Sequence, residues 1–225
     1  MKISKETLEV LKNFSAINPN LVICEGNKLS TIADAKNIMA TVDVPESFPK
    51  EIGIYDLNEF LSALSLIEDA ECEFGESAIL IKSNNASLTY RYADVSILTS
   101  PQKQVSMPSA DVEVNLTVDD INQIRRAGAA LGHPVVALVS NGGDDKIYLQ
   151  VKDPNNKSAN VFELEVGSGY EQIFDFQFLI ANLKLIPGDY KVEVSSKLIS
   201  HWECVNSQSV EYWIALEKSS TYDEV

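Results

Sequence analysis

The feature that most constrains this chain is that it carries one unit twice. The segment Ile54-Tyr55-Asp56-Leu57-Asn58-Glu59-Phe60-Leu61-Ser62-Ala63-Leu64-Ser65-Leu66-Ile67 lies on Ile173-Phe174-Asp175-Phe176-Gln177-Phe178-Leu179-Ile180-Ala181-Asn182-Leu183-Lys184-Leu185-Ile186 without a gap. In each copy an aromatic and an Asp precede apolar residues at helical spacing: Leu57, Phe60, Leu61 and Leu64, then Phe176, Leu179, Ile180 and Leu183. An Asp before a helix accepts hydrogen bonds from the unpaired amides of its first turn, so the pattern predicts a short, one-sided helix in each copy, capped by Asp56 and Asp175. Earlier in each half, Leu8, Leu11 and Ser15 repeat as Ile121, Ile124 and Gly128, which sets Lys12 opposite Arg125 and Asn13 opposite Arg126. The later of these helices opens with Thr117-Val118-Asp119-Asp120, a capping-box pattern whose carboxylates suit the positive end of the helix dipole. Asp119 and Asp120 are therefore read as helix-start residues.

Alternating segments follow the helices: Ser87 to Tyr92, Lys146 to Val151, Asp189 to Val194 and Val210 to Leu216. Period-two alternation buries one face and solvates the other, as in an antiparallel sheet with helices on one side. The fold class is α+β, with two similar domains. Asn141-Gly142-Gly143-Asp144-Asp145 and Pro187-Gly188-Asp189 read as turns. The stretch from Ser96 to Asp111, with Pro101 and Pro108, reads as a connector, giving a first domain over 1–95, a connector over 96–110 and a second domain over 111–225. Its Leu98, Val105 and Met107 either pack onto the domains or help form a docking groove for a partner's peptide.

The net charge of −15 argues against ordinary nucleic-acid binding, which rests on lysines and arginines that release phosphate counterions. An acidic chain escapes that objection if its basic residues gather on one surface, or if attachment is topological. Cys24, Cys72 and Cys204 make no paired motif and read as buried small residues with free thiols in a reducing compartment. His133 and His201 lack a second ligand at zinc-site spacing, so no metal and no cofactor is expected. No apolar run is long enough for a membrane span, and the N-terminus lacks the pattern of a signal peptide. No nucleophile motif and no phosphate-cradling Gly-rich loop is present, which excludes the common enzyme classes.

Several landmarks resemble the sliding clamps of T-even-type bacteriophages. They are the opening Met1-Lys2-x-Ser4-Lys5-x-Thr7 with Leu11-Lys12-Asn13-Phe14 and Ile17-Asn18, then Ile54-Tyr55-Asp56-Leu57-Asn58 and Leu64-Ser65-Leu66. Pro187-Gly188-Asp189-Tyr190-Lys191 and the ending Tyr212-Trp213-Ile214-Ala215-Leu216-Glu217 complete the set. The resemblance implies a DNA-clamp fold with sheets outside and helices inside, closed as a homotrimeric ring of six domains. It further implies encircled double-stranded DNA, a replicative DNA polymerase tethered as its processivity partner, an ATP-driven clamp loader, a role in late transcription, and the cytoplasm of the infected host as location.

Geometry gives an independent check. Twelve helices about 10 Å across make a circle of roughly 120 Å, about 38 Å wide between axes, with a bore of about 28 Å that admits a duplex of about 20 Å. Four domains would leave only about 15 Å. On a helical wheel Ile121, Ile124, Gly128 and Leu131 face one way, Arg126 points nearly opposite and Arg125 flanks it, while Lys184 and Gln177 take the same side of their helix. Lys5 and Lys12 share a stripe with Glu9 between them. Lys2, Lys5, Lys12, Arg125, Arg126 and Lys184 are therefore the candidate DNA-facing residues, against the alternative of ordinary solvated helix faces. Leu98, Val105, Met107 and Tyr222 are the candidate partner-binding residues. The rival from another class is an enzyme, which the missing motifs disfavour; a third reading is a trimeric virion or scaffold protein without a DNA role.

Overall fold

Both long helices begin where side-chain oxygens close the first turn. In the computed structural model, which describes residues 1–103, 105–143, 145–205 and 209–223, the chain divides into two compact units, Met1–Gln104 and Val105–Val225. Helix α1, Lys5–Ile17, starts at Ser4, whose hydroxyl accepts from the Thr7 amide. Its buried face is Thr7, Val10, Leu11, Phe14 and Ile17. Four strands follow: β1 (Leu21–Ile23), β2 (Gly26–Ile32), β3 (Ile38–Phe48) and β4 (Ile52–Ile54), with β1 antiparallel to β4 and β2 antiparallel to β3. Helix α2, Leu57–Ser65, is capped as expected, Asp56 accepting from the amides of Asn58 and Glu59 at 2.9 and 3.1 Å. A three-stranded antiparallel sheet ends the unit: β5 (Glu71–Phe74), β6 (Ala78–Lys82) and β7 (Ser87–Arg91).

The second unit repeats this order. Strand β8 (Val112–Leu116) leads into α3, Val118–Leu131, whose capping box is complete: the Thr117 hydroxyl accepts from the Asp120 amide, and the Asp120 carboxylate accepts from the Thr117 amide at 2.8 Å. Then come β9 (Val135–Asn141), β10 (Lys146–Lys152), β11 (Phe162–Ser168) and β12 (Ile173–Leu179), a 3-10 turn at Ile180–Asn182, and β13 (Tyr190–Ser195), β14 (Ile199–Cys204) and β15 (Glu211–Ala215). Strand β12 pairs with β9 as β4 does with β1, and β10 pairs with β11 as β2 does with β3. Strand β8 pairs with β13, and its counterpart in the first unit is a single residue: Met1 exchanges two backbone bonds with Cys72 of β5, at 2.8 and 2.9 Å. A last strand, β16 (Thr221–Asp223), adds to β12.

One expectation fails. The second copy of the predicted short helix is strand β12 followed by one 3-10 turn, so the counterpart of α2 begins at Ile180, not at Phe176. Phe174, Phe176 and Phe178 are all buried on one face, and aromatic residues alternating on a strand between two partners satisfy period two better than period 3.6. Asp175 is consequently no helix cap; its carboxylate takes the ammonium of Lys152 at 2.6 Å. Gln177 is buried, its side chain accepting from the Ser219 hydroxyl at 2.8 Å. A second correction concerns the cysteines: Cys72 and Cys204 are buried, but Cys24, in the turn between β1 and β2, is exposed. In the predicted turn at 141–145, Gly142 and Asp145 adopt positive φ of 71° and 57°, while Asp144 lies outside the described residues.

Glu46 of β3 is buried at 8% exposure against the start of α1, where it accepts from the Ser4 amide and the Thr7 hydroxyl. Burial alone would raise its pKa, but those hydrogen bonds outweigh it and hold the carboxyl below the ordinary carboxylate range. A depressed folded-state pKa stabilises the fold above the unfolded value, and that contribution is lost as pH falls through the folded value. Glu46→Gln should cost about 1–3 kcal/mol at neutral pH, and chemical denaturation of both proteins from pH 7 to pH 3 should show the difference shrinking in acid.

Candidate nucleic-acid interface

The solvent-facing sides of α1 and α3 are set by what the opposite sides bury. On α1 the exposed residues are Lys5, Glu6, Glu9, Lys12 and Ala16; on α3 they include Asp119, Asn122, Arg126 and Ala129. Gly128 lets α3 approach the 3-10 turn, because a β-carbon there would lie 2.5 Å from the Ile180 side chain. Acid and base alternate along α1, and on α3 the acid lies at the start and Arg126 beyond it, so each exposed face is mixed. Lys2 is exposed, with Asp69 at 3.8 Å.

Arg125 differs from the other cations. It is half-buried, and its guanidinium donates to the Leu183 carbonyl at 2.5 Å. Burial pulls its pKa down, opposed by the neighbouring Tyr190 and Tyr212. Lys184 is half-buried on the irregular segment after the 3-10 turn, between the buried Leu183 and Leu185. It stands on no helix, so the helical side expected for it does not exist; its neighbour Leu183 is held by Arg125 of α3.

The candidate partner residues also separate. Leu98 belongs to the first unit, where it packs over Gly53: a β-carbon on that glycine would lie 2.9 Å from Leu98 Cδ1. Thr99 is tied to the same unit by its amide, which donates to the Asn20 side chain at 3.1 Å. The apolar residues that this stretch does expose are Val95 and Ile97, on a 3-10 turn that sequence reasoning missed. Val105 and Met107 are half-buried in the second unit. Tyr222 lies on β16, half-buried, with its ring stacked on Phe176 at 5.8 Å and Phe174 at 6.5 Å. Also missed were Tyr55 and Leu66, 67% and 73% exposed, beside a cleft of about 480 Å³ between α2 and β7. Their only sequence signal was apolar residues off the helical stripe of Leu57 and Phe60.

A family described as "DNA polymerase processivity factor" matches residues 4–92, and one described as "gp45 sliding clamp, C terminal" matches residues 112–218. The chain is 34% identical to the sliding clamp of Vibrio phage KVP40, covering 96% of this chain and 99% of that one. It is 31% identical to the sliding clamp of Escherichia phage RB69 and 30% identical to that of Enterobacteria phage T4, covering 99% of this chain and all of each relative. Among solved structures, the Proliferating Cellular Nuclear Antigen of Entamoeba histolytica superposes with a TM-score of 0.67 at 12% identity, over 93% of this chain and 94% of that one. The A. fulgidus PCNA bound to the C-terminal region of FEN-1 superposes with a TM-score of 0.69 at 15% identity, over 95% and 96%. These structural likenesses establish the fold. Because Lys12 and Arg126 are exposed on helix surfaces, Lys12→Gln and Arg126→Gln should leave the thermal midpoint unchanged, whereas Arg125→Met should lower it, as differential scanning calorimetry would measure.

Proposed function

The chain belongs to the phage gp45 sliding-clamp family of DNA polymerase processivity factors, and from that premise we propose that it closes as a homotrimer around double-stranded DNA. It is not an enzyme. The ring tethers the replicative DNA polymerase, is placed on DNA by a clamp loader, supports late transcription, and works in the cytoplasm of the infected bacterial host. Family membership removes the ground for the alternative of a virion or scaffold trimer.

The observation that carries the ring is a pair of open sheet edges. Among the described residues β7 and β11 each pair on one side only. Strands β2 and β16 also pair on one side only, while Met1 occupies the edge of β5 and on β8 the Glu113 amide donates to the Tyr170 hydroxyl at 2.8 Å. An unpaired strand edge is a template for another chain, and one edge from each unit of the same chain suits a head-to-tail ring. The edges are complementary in charge, with exposed Arg91 on β7 and exposed Glu163 and Glu165 on β11. Pairing β7 of one subunit with β11 of the next closes the ring.

Inside it, Lys5, Lys12 and Arg126 meet phosphates, with Lys2, Lys184 and Arg125 nearby, and the surplus acid lies on other surfaces. The stretch 96–110 serves as the connector between domains 1–95 and 111–225. For partner segments the candidates are Val105 and Met107, with Tyr222 on the same unit; Leu98 is engaged with Gly53 and less available. The FEN-1 segment on the A. fulgidus clamp supports short-peptide docking as the mode.

Two measurements test this reading. Solution mass should be three times 24.8 kDa, and Arg91→Glu should shift the protein toward monomer, with Glu163→Lys and Glu165→Lys added to it restoring the trimer. The loaded protein should stay on nicked circular DNA and escape once the circle is cut. A monomer mass, or equal retention after linearisation, would sink the ring.

A further inference from the structure

The segment Leu183–Ile186 takes the place in the second unit that follows α2 in the first, but it lacks a helix and a strand ladder to satisfy its backbone. Buried backbone groups must find partners: the amides of Leu183 and Lys184 find the carbonyls of Ile180 and Asn182, and side chains supply others. The Leu183 carbonyl accepts from the Arg125 guanidinium at 2.5 Å. The Ile186 carbonyl accepts from the Tyr190 hydroxyl at 2.6 Å, and the Ile186 amide donates to the Tyr212 hydroxyl at 3.1 Å. Tyr190 and Tyr212 are fully buried, and Leu183 and Leu185 are 3% and 5% exposed. Between these two buried leucines Lys184 is only half-buried. Of the three side chains that grip the segment, only Arg125 comes from α3; the tyrosines come from β13 and β15. A planar guanidinium bound to a carbonyl is held in one orientation, and a hydrogen bond from an ionised donor is stronger than one between neutral groups.

We propose that Arg125 is a positioning residue of the DNA-facing surface: it ties the Leu183–Ile186 segment to α3 and so holds Lys184 in line with Arg126, and the phosphate contact is made by Lys184. This rests on the encirclement reading above. It reassigns one of the two adjacent arginines, leaving Arg126 as the direct contact on α3, and makes the tyrosine pair beneath the segment part of the same support.

The test is a double-mutant cycle on the assembled clamp binding a short linear duplex, onto which a ring can thread without a loader, measured across a range of salt. Each phosphate contact on B-DNA contributes about 0.9 to the slope of log K against log salt. Lys184→Met and Arg125→Met should each reduce the slope by about that amount, and the double variant should lose that single amount in total, not twice it. Tyr212→Phe changes no charge but releases the Ile186 amide; it should weaken binding about fivefold with Lys184 present and not at all in the Lys184→Met background. That second series decides the matter if Arg125→Met does not fold. A double variant that loses about two contacts makes Arg125 a direct phosphate ligand and overturns the proposal, as does a Tyr212→Phe effect that persists without Lys184. If Lys184→Met and Arg126→Gln both leave the slope unchanged, the DNA-facing reading itself fails and the proposal falls with it. A reduced slope in both, with additive Arg125 and Lys184 effects, overturns the positioning role alone.

Discussion

The two long helices are held by carboxylates that reach their N-termini from distant parts of the chain, and much else depends on that. Glu46 arrives from β3 at the first turn of α1, and Asp189, just before β13, accepts from the Val118 amide of α3 at 2.8 Å. The first turn of a helix presents amides with no partner in the helix, together with the positive end of its dipole, so an anion there fixes where the helix starts and which strand it starts against. With the start pinned and Val10, Leu11 and Phe14, or Ile121 and Ile124, turned into the core, the outward face is no longer adjustable. The cations exposed on α1 and α3 are thus chosen by contacts that involve no cation.

The duplication is complete in topology and incomplete in detail. Every strand pairing of the first unit has a counterpart in the second, yet the second helix of the pair has shrunk to the turn Ile180–Asn182. Part of what a helix provides internally, backbone satisfaction, is supplied there by Arg125, Tyr190 and Tyr212. Replacing a ladder with side chains couples that segment to three other elements at once. In the first unit α2 closes most of its own bonds; from outside, the Pro19 carbonyl accepts from the Leu57 amide at 2.7 Å and the Tyr90 hydroxyl donates to the Asp56 carbonyl at 3.1 Å.

Local signals with one physical reading were legible before any coordinates. Asp56, Thr117 and Asp120 sit where cap chemistry puts them, and the strands around Thr89, Leu149, Val192 and Trp213 follow their period-two pattern. The segment Ile173–Ile186 misled because its residues satisfy both periods: Phe176, Leu179, Ile180 and Leu183 make a helical stripe, while Phe174, Phe176 and Phe178 alternate. Only the presence of β9 and β16 on either side decides for the strand, and those partners lie more than thirty residues apart in the sequence. The contact of Arg125 with Leu183, across 58 positions, was illegible for the same reason. Periodicity ranks faces of an element; it cannot say which neighbour will occupy a flank.

The acidity of the chain is consistent with enclosure once the exposed helix faces are considered residue by residue. Lys5 shares its face with Glu6 and Glu9, and Arg126 shares its own with Asp119 and Asn122. Such faces attract phosphate only at short range, because beyond about 10 Å at moderate salt the mixed charges are screened and partly cancel. A freely dissociating protein with this surface would bind duplex DNA poorly. A closed ring has no need of strong attraction, since it is kept on the duplex by connectivity, and weak scattered contacts let it move along the backbone without a deep minimum at any register. Net charge therefore limits how the protein reaches DNA far more than whether it stays, which is the physical reason a loader is needed and a basic surface is not.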